Sequence, residues 1–306
     1  MAKFIVIGDL ILDRFIYGDA NRISPEAPSI LINVTDELVQ LGGAYNVVAH
    51  LRGLGNYVSY LGATGLEFHE KYLEKNLSLD DFIITDSHLS VIEKTRLVAN
   101  YKLTHIARFD RESAFDYPQN VQDKLLECMD GLMDDVDGVL LIDYNKGLLT
   151  KYFITEIIKI CNNKNTDVFV DTKKSDISSF KGAKYLKPNK VEFAKILDHY
   201  QLNGDFDIIT SFIVKDLKLH GLIITAGPEG MRAVTSGDET LFAPAIPIRI
   251  NELSGAGDSV LATLAHSLNA GYDLQNALLN ATSVAAKFIA EGPSYRARCD
   301  DLFFGR

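Results

Sequence analysis

The 306-residue chain has only three cysteines, and Cys128, Cys161 and Cys299 lie too far apart to form a CxxC pair. That excludes a disulfide framework and a cysteine zinc site, and the thiols read as buried or incidental groups in a reducing compartment. No run approaches the ~18 uninterrupted apolar residues of a membrane span. The opening MAKFIVIGDL halts its apolar run at Gly8-Asp9, too early for a signal-peptide core, so a cytoplasmic protein with no membrane partner is expected. Positive charge is in deficit. Thirty-one Lys+Arg against 41 Asp+Glu give a net charge of −10, which argues against gripping nucleic acid by its phosphates. Local anion binding through backbone amides stays open. The GxxxxGK[ST] loop, a GxGxxG after the first strand, the HRD and DFG sets, HExxH and GxSxG are all missing. The seven His residues are scattered without a cluster.

What remains is ordinary globular material: hydrophobic residues at 47% and charged residues at 24% exclude a disordered chain. Short apolar runs at 4–7, 58–61, 138–142, 168–170, 185–187 and 221–225 read as buried strands. Helical patterns at 43–54, 150–161 and 190–197 separate some of them. This alternation predicts an α/β fold, a mostly parallel sheet with helices on both faces. Two stretches, about 14–40 and 93–110, alternate with period two and read as a few antiparallel strands projecting from that sheet. No linker, repeat or low-complexity tract divides the chain.

The strongest local signal is Ser254-Gly255-Ala256-Gly257-Asp258, which opens the helical stripe Val260, Leu261, Leu264, Ala265 and Leu268. A glycine-rich turn entering a helix presents free N–H groups and the positive end of the helix dipole to an anion. Asp258 stands where it could accept a proton from a hydroxyl beside that anion. The same residues also suit an ordinary helix cap.

This turn resembles the signature of the ribokinase, or PfkB-type, carbohydrate kinases. Three further segments match that family in order: Gly42-Gly43-Ala44-Tyr45-Asn46, Lys187-Pro188-Asn189-x-x-Glu192, and Thr225-Ala226-Gly227-Pro228-Glu229-Gly230. Within the family, GDLILDRFIYGDANRISPEAP, Asp143-Tyr144-Asn145-Lys146-Gly147 and Val170-Asp171-Thr172-Lys173 resemble the bacterial D-glycero-D-manno-heptose 7-phosphate kinases. In many bacteria these are fused to a nucleotidyltransferase, and the resemblance covers the kinase half alone. Tyr45 stands where the family has a small residue, Ser254 where Thr is common, and the tail EGPSYRARCDD departs from the branch.

The resemblance implies one ribokinase-like domain over 1–306, with the 14–40 and 93–110 segments forming a β lid. It implies transfer of the γ-phosphoryl group of ATP to a sugar-phosphate hydroxyl. Asp258 would be the base, and the amides of Gly255, Ala256 and Gly257 would stabilise the transferring group. Asp13, Gly42, Gly43, Asn46, Asp143, Lys146 and Lys173 would hold the sugar phosphate. Asn189, Glu192, Thr225, Gly227, Gly230 and Asn280 would hold the nucleotide, with Glu192 on a Mg²⁺ through water. A monovalent cation is left open, and exposed lid edges suggest a homodimer. Each has a plainer alternative: a turn for Asp13, a cap for Asn46, a capping pair for Asn189 and Glu192, solvated lysines at 146 and 173, and a structural helix residue at Asn280. A kinase for another sugar or nucleoside and a non-catalytic ligand binder are the competing functions.

Overall fold

The computed structural model describes residues 1–68, 78, 80–101, 104–112, 116–249 and 253–304. Thirteen strands among them form two sheets. In chain order they are β1 (Lys3–Gly8), β2 (Leu10–Ile23), β3 (Ile30–Gly43), β4 (Tyr57–Gly65), β5 (Asp81–Asp86), β6 (Ile92–Ala99) and β7 (Thr104–Arg111). They continue with β8 (Gly138–Asp143), β9 (Asp167–Thr172), β10 (Tyr185–Leu186), β11 (Gly221–Thr225), β12 (Met231–Thr235) and β13 (Thr240–Ala243).

The main sheet runs β13-β12-β11-β10-β9-β8-β1-β4-β5 and is parallel from β11 to β5. Its inner strands β1, β4, β8, β9, β10 and β11 are buried on both faces, as their apolar runs require. Ile5, Ile7, Val139 and Leu141 face helices α2 (Gln119–Leu132), α3 (Lys151–Asn163), α4 (Lys190–His199) and α5 (Phe206–Asp216). Phe4, Val6, Leu140 and Ile142 face α1 (Ala44–Gly53), α6 (Ala256–Asn269) and α7 (Leu274–Glu291). The sheet ends in an antiparallel hairpin, β12–β13, that the apolar-run reading did not contain.

The second sheet, β3-β2-β6-β7, projects from the first, as expected from the alternating segments. Its pairing corrects that expectation in one respect: β2 and β6 run parallel, in register from Ile11–Ile92 to Gly18–Ala99. The reason is directional. β2 follows β1 after one residue and β6 follows β5, and both parent strands leave the main sheet at carboxyl ends. Only β2–β3 and β6–β7 are antiparallel. Residues 102 and 103 of the expected lid segment lie outside the described residues.

Candidate active site

A cavity of about 760 Å³ lies between the carboxyl ends of the main sheet and the second sheet, the position at which open α/β sheets bind ligands. Gly255 caps α6 in the left-handed region, φ 100°, and a Cβ there would come within 2.9 Å of Phe288 Cζ. Glycine is required by the turn itself. Asp258, in the first turn of α6, is 3% exposed. Tyr144 Oη donates to both of its oxygens at 2.9 Å, and Asn46 Nδ2 donates to Oδ2 at 3.1 Å. Burial, and then the charge of Asp171, push the Asp258 carboxyl up to about 7, while the Tyr144 and Asn46 hydrogen bonds pull the other way. A carboxyl poised there can exchange protons at neutral pH.

Of the three amides expected to face an anion, Ala256 is a correction. Its N–H donates to Leu253 O at 3.2 Å and closes the turn. The amides of Gly255 and Gly257 have no acceptor among the described residues. Gly257 has ordinary helical φ, and a Cβ on it would touch Lys187 Nζ at 3.5 Å and Asp171 Oδ2 at 3.8 Å. Those two side chains, Lys187 buried and Asp171 partly buried, form an ion pair of 2.8 Å at the ends of β9 and β10. Neither was among the expected site residues, although a lysine ending the apolar strand 185–187 was a visible signal.

On the sugar side the expected set divides. Asp13, Gly43, Asn46, Asp143 and Lys173 line the cavity. Asn46 is not a helix cap, since Gly43 holds that position without a side-chain bond. Asp13 Oδ1 accepts from Arg96 Nη1 at 2.6 Å, and Gly42 stands behind it, where a Cβ would overlap the Asp13 carboxylate. Asp143 is occupied by Thr172 Oγ1, the Asn145 amide and Lys174 Nζ, which fits a structural role. Lys146 is a correction. Its ammonium pairs with Glu112 at 2.5 Å, its amide bonds Asp9, and it does not line the cavity. The second sheet contributes Phe15, Gln40, Lys94, Arg96 and Arg108 instead.

On the opposite side lie Asn189, Glu192, Thr225, Gly227 and Gly230. Asn189 and Glu192 form a capping box on α4, with Asn189 Oδ1 accepting from the Val191 and Glu192 amides and Glu192 Oε2 accepting from the Asn189 amide. Burial and then Asp171 raise the Glu192 carboxyl. Asn280 is the third expected site residue that the structure corrects. It is fully buried, bonded to Ser267 Oγ and the Phe304 amide, and faces away from the cavity. Thr282, Ala285, Ala286 and Ile289 on the same helix line the cavity. Two residues turn an α-helix by about 200°, so 280 and 282 face apart.

The model of the pfkB family of carbohydrate kinases matches residues 1–295. The chain belongs to this family. It has the ribokinase-like fold. The "Bifunctional protein HldE" of Nitrobacter winogradskyi is 33% identical over 295 residues, and that of Bradyrhizobium sp. (strain ORS 278) 30% over 292. Each match covers 94% of this chain and 60% of the relative, so the chain spans about 60% of the length of these curated relatives. Among solved structures, Escherichia coli phosphofructokinase-2 with fructose-6-phosphate superposes with a TM-score of 0.75 at 17% identity, covering 98% of this chain and 97% of that one. Arabidopsis thaliana ribokinase with ribose and ATP gives 0.70 at 13%, covering 99% and 96%. These two show the shared fold.

Proposed function

We propose that this kinase phosphorylates a sugar that already carries a phosphate, with D-glycero-D-manno-heptose 7-phosphate as acceptor and the 1,7-bisphosphate, a precursor of ADP-heptose, as product. The observation that carries the catalytic part is Asp258, buried, poised near neutral pH and adjacent to the open Gly257 amide and to Lys187. The substrate part rests on the likeness of the 8–28 and 143–147 segments to that branch and on the bifunctional HldE relatives, one of them 33% identical over 60% of its own length.

In the reaction the acceptor hydroxyl gives its proton to Asp258 as its oxygen attacks the γ-phosphorus of ATP. The bond between that phosphorus and the bridging oxygen breaks, and ADP leaves with the electron pair. The Gly255 and Gly257 amides and the Lys187 ammonium meet the charge on the transferring group. Thr225, Gly227 and Gly230 would border the nucleotide phosphates, and Thr282, Ala285, Ala286 and Ile289 the base. No group of three or more His, Cys, Asp or Glu suited to a metal occurs among the described residues. That donor set fits Mg²⁺ arriving with ATP, which keeps its waters and needs only one or two carboxylates. Glu192 would hold such a water, and the metal supplies charge neutralisation when bound.

The second sheet would act as a lid, since Lys94, Arg96 and Arg108 reach the cavity from it and closure would exclude competing water. Its outer residues Ile23, Ile30, Val34 and Phe109 are exposed, and we assign them to a homodimer contact. Use of ATP and a sugar phosphate supports a cytoplasmic location; no helix among the described residues is long and apolar enough to cross a membrane. The test is ADP release over a panel of sugars and their terminal phosphates. Preference for a free sugar would replace the heptose-phosphate reading with that of a kinase for an unphosphorylated acceptor. Absence of turnover on every member would favour a non-catalytic binder.

A further inference from the structure

The cavity wall is rich in cations, and most of them are paired. Arg96 pairs with Asp13, Arg108 with Asp110, Lys187 with Asp171, and Lys174, just behind, with Asp143. Two ammonium groups are different. Lys94, on β6, is 9% exposed, and its Nζ lies 5.2 Å from the centre of the Tyr144 ring. Lys173, just past β9, places its Nζ 4.1 Å from the same centre. Neither ammonium makes a hydrogen bond or ion pair with any described residue. Lys94 is held below its ordinary value first by burial and next by the charge of Lys173. Lys173 is exposed and keeps water, whereas Lys94 is buried and feels the charge of Asp13 without bonding it. Attraction to one aromatic face does not replace a hydrogen-bonded counter-charge for that buried ammonium, and a second like charge beside it adds to the cost. The chemistry that satisfies both is a dianion.

Location decides which dianion. Tyr144 carries the ring at its middle and bonds Asp258 at its tip. An anion held by the two lysines therefore sits about one tyrosine side chain from the base, on the side of the second sheet. The residues assigned to the nucleotide line the other side of the cavity. We propose that Lys94 and Lys173, set about the Tyr144 ring, form the subsite for the phosphate that the acceptor brings with it. This rests on the kinase reading above and replaces Lys146, which is consumed by Glu112, with Lys94.

The test is calorimetric titration of inorganic phosphate, and separately of ATP, into wild type, Lys94→Met, Lys173→Met and Lys94→Arg, without acceptor. ATP binding also reports that each variant is folded. Phosphate affinity should fall at least ten-fold in both Met variants and stay within about three-fold of wild type in Lys94→Arg, with ATP affinity changing less than two-fold in all. Wild type that binds no phosphate, or Met variants that bind it equally well, would overturn the subsite. A parallel loss of ATP affinity would give the lysines to the nucleotide phosphates and overturn it as well. The readout needs no turnover, so it is separable from the kinase reading. Phosphate binding that follows the lysines, in a protein that consumes no sugar phosphate, would keep the subsite and remove the reaction.

Discussion

Replacing Asp258 with Asn keeps the shape of the side chain and removes both the base and a buried charge, so activity and stability should move in opposite directions. The amide can still accept from Asn46 Nδ2 through its oxygen, and its NH₂ can donate to Tyr144 Oη, which now stands at both carboxylate oxygens. The fold should therefore persist. Loss of a general base costs ~10²–10⁴-fold in rate, so kcat should fall at least ~10²-fold while ATP binding persists. The stability effect follows from the carboxyl being raised from 3.8 to about 7. In the unfolded chain it loses its proton near the lower value, whereas the native protein keeps it until the higher one. The native state thus binds more protons between those values, and stability falls as pH rises from about 4 to 7, then levels off. At ~1.4 kcal/mol per pH unit the loss is at most about 4 kcal/mol above pH 7. Asp258→Asn carries no such loss. Its thermal midpoint should match wild type near pH 4 and exceed it by several degrees at pH 8, at roughly 2–4 °C per kcal/mol for a domain of this size class. Thermal scans at the two pH values, with ADP-release rates on the same preparations, check both halves. A variant with turnover within ten-fold of wild type refutes the base. A variant no more stable at pH 8 than wild type refutes the buried, raised carboxyl.

The remaining expectations concern neighbouring groups. The rate at subsaturating acceptor should rise with pH through about 7 as Asp258 deprotonates, and Tyr144→Phe, which removes a donor to the carboxylate, should move that limb to higher pH; a pH–rate profile unmoved in the variant contradicts the contact. Lys187→Met leaves Asp171, whose side chain is 17% exposed, without its partner and should cost about 1–3 kcal/mol in denaturant unfolding as well as activity; a loss under ~0.5 kcal/mol would mean the pair adds no stability. Gly255→Ala must hold φ near +100° with its Cβ against Phe288, so about 1–2 kcal/mol of stability should be lost, whereas Gly257→Ala, at ordinary φ with room for a Cβ, should fold normally and lose activity; equal melting of the two variants would deny the difference. Asp9 is buried with Oδ1 unpaired and its carboxyl raised to about 7 by burial and Asp143, so Asp9→Asn should gain stability above pH 7 and not below pH 4, measured by the same scans.

The centre of the sheet was legible because its inner strands are buried on both faces, so 138–142 and 221–224 are apolar without interruption and mark themselves. The antiparallel hairpin β12–β13 was not, because Arg232, Thr240 and Phe242 are solvent-facing or half-exposed and break the run. The pairing of β2 with β6 is set by where two distant strands leave the main sheet, which no local pattern encodes. At the site, Asp258 with Gly255 and Gly257 was readable because turn geometry and chemistry fall within five residues. The distribution of the lysines was not. Lys146 and Lys94 look alike in sequence, and only the fold places Glu112 beside one and a bare aromatic ring beside the other. Asn280 misled for a related reason: helix α7 does line the cavity, but through a face that residue does not share.

The central claim is transfer of a phosphoryl group to an acceptor that already bears one, with Asp258 taking the proton. Phosphorus NMR of D-glycero-D-manno-heptose 7-phosphate incubated with ATP, Mg²⁺ and the enzyme observes that event itself. The spectrum should gain a second sugar-phosphate resonance, at the anomeric position, equal in area to the ADP formed, and the Asp258→Asn protein should not produce it over the same interval. ADP formed without that resonance, or a resonance that grows equally with the Asn variant, would contradict the account.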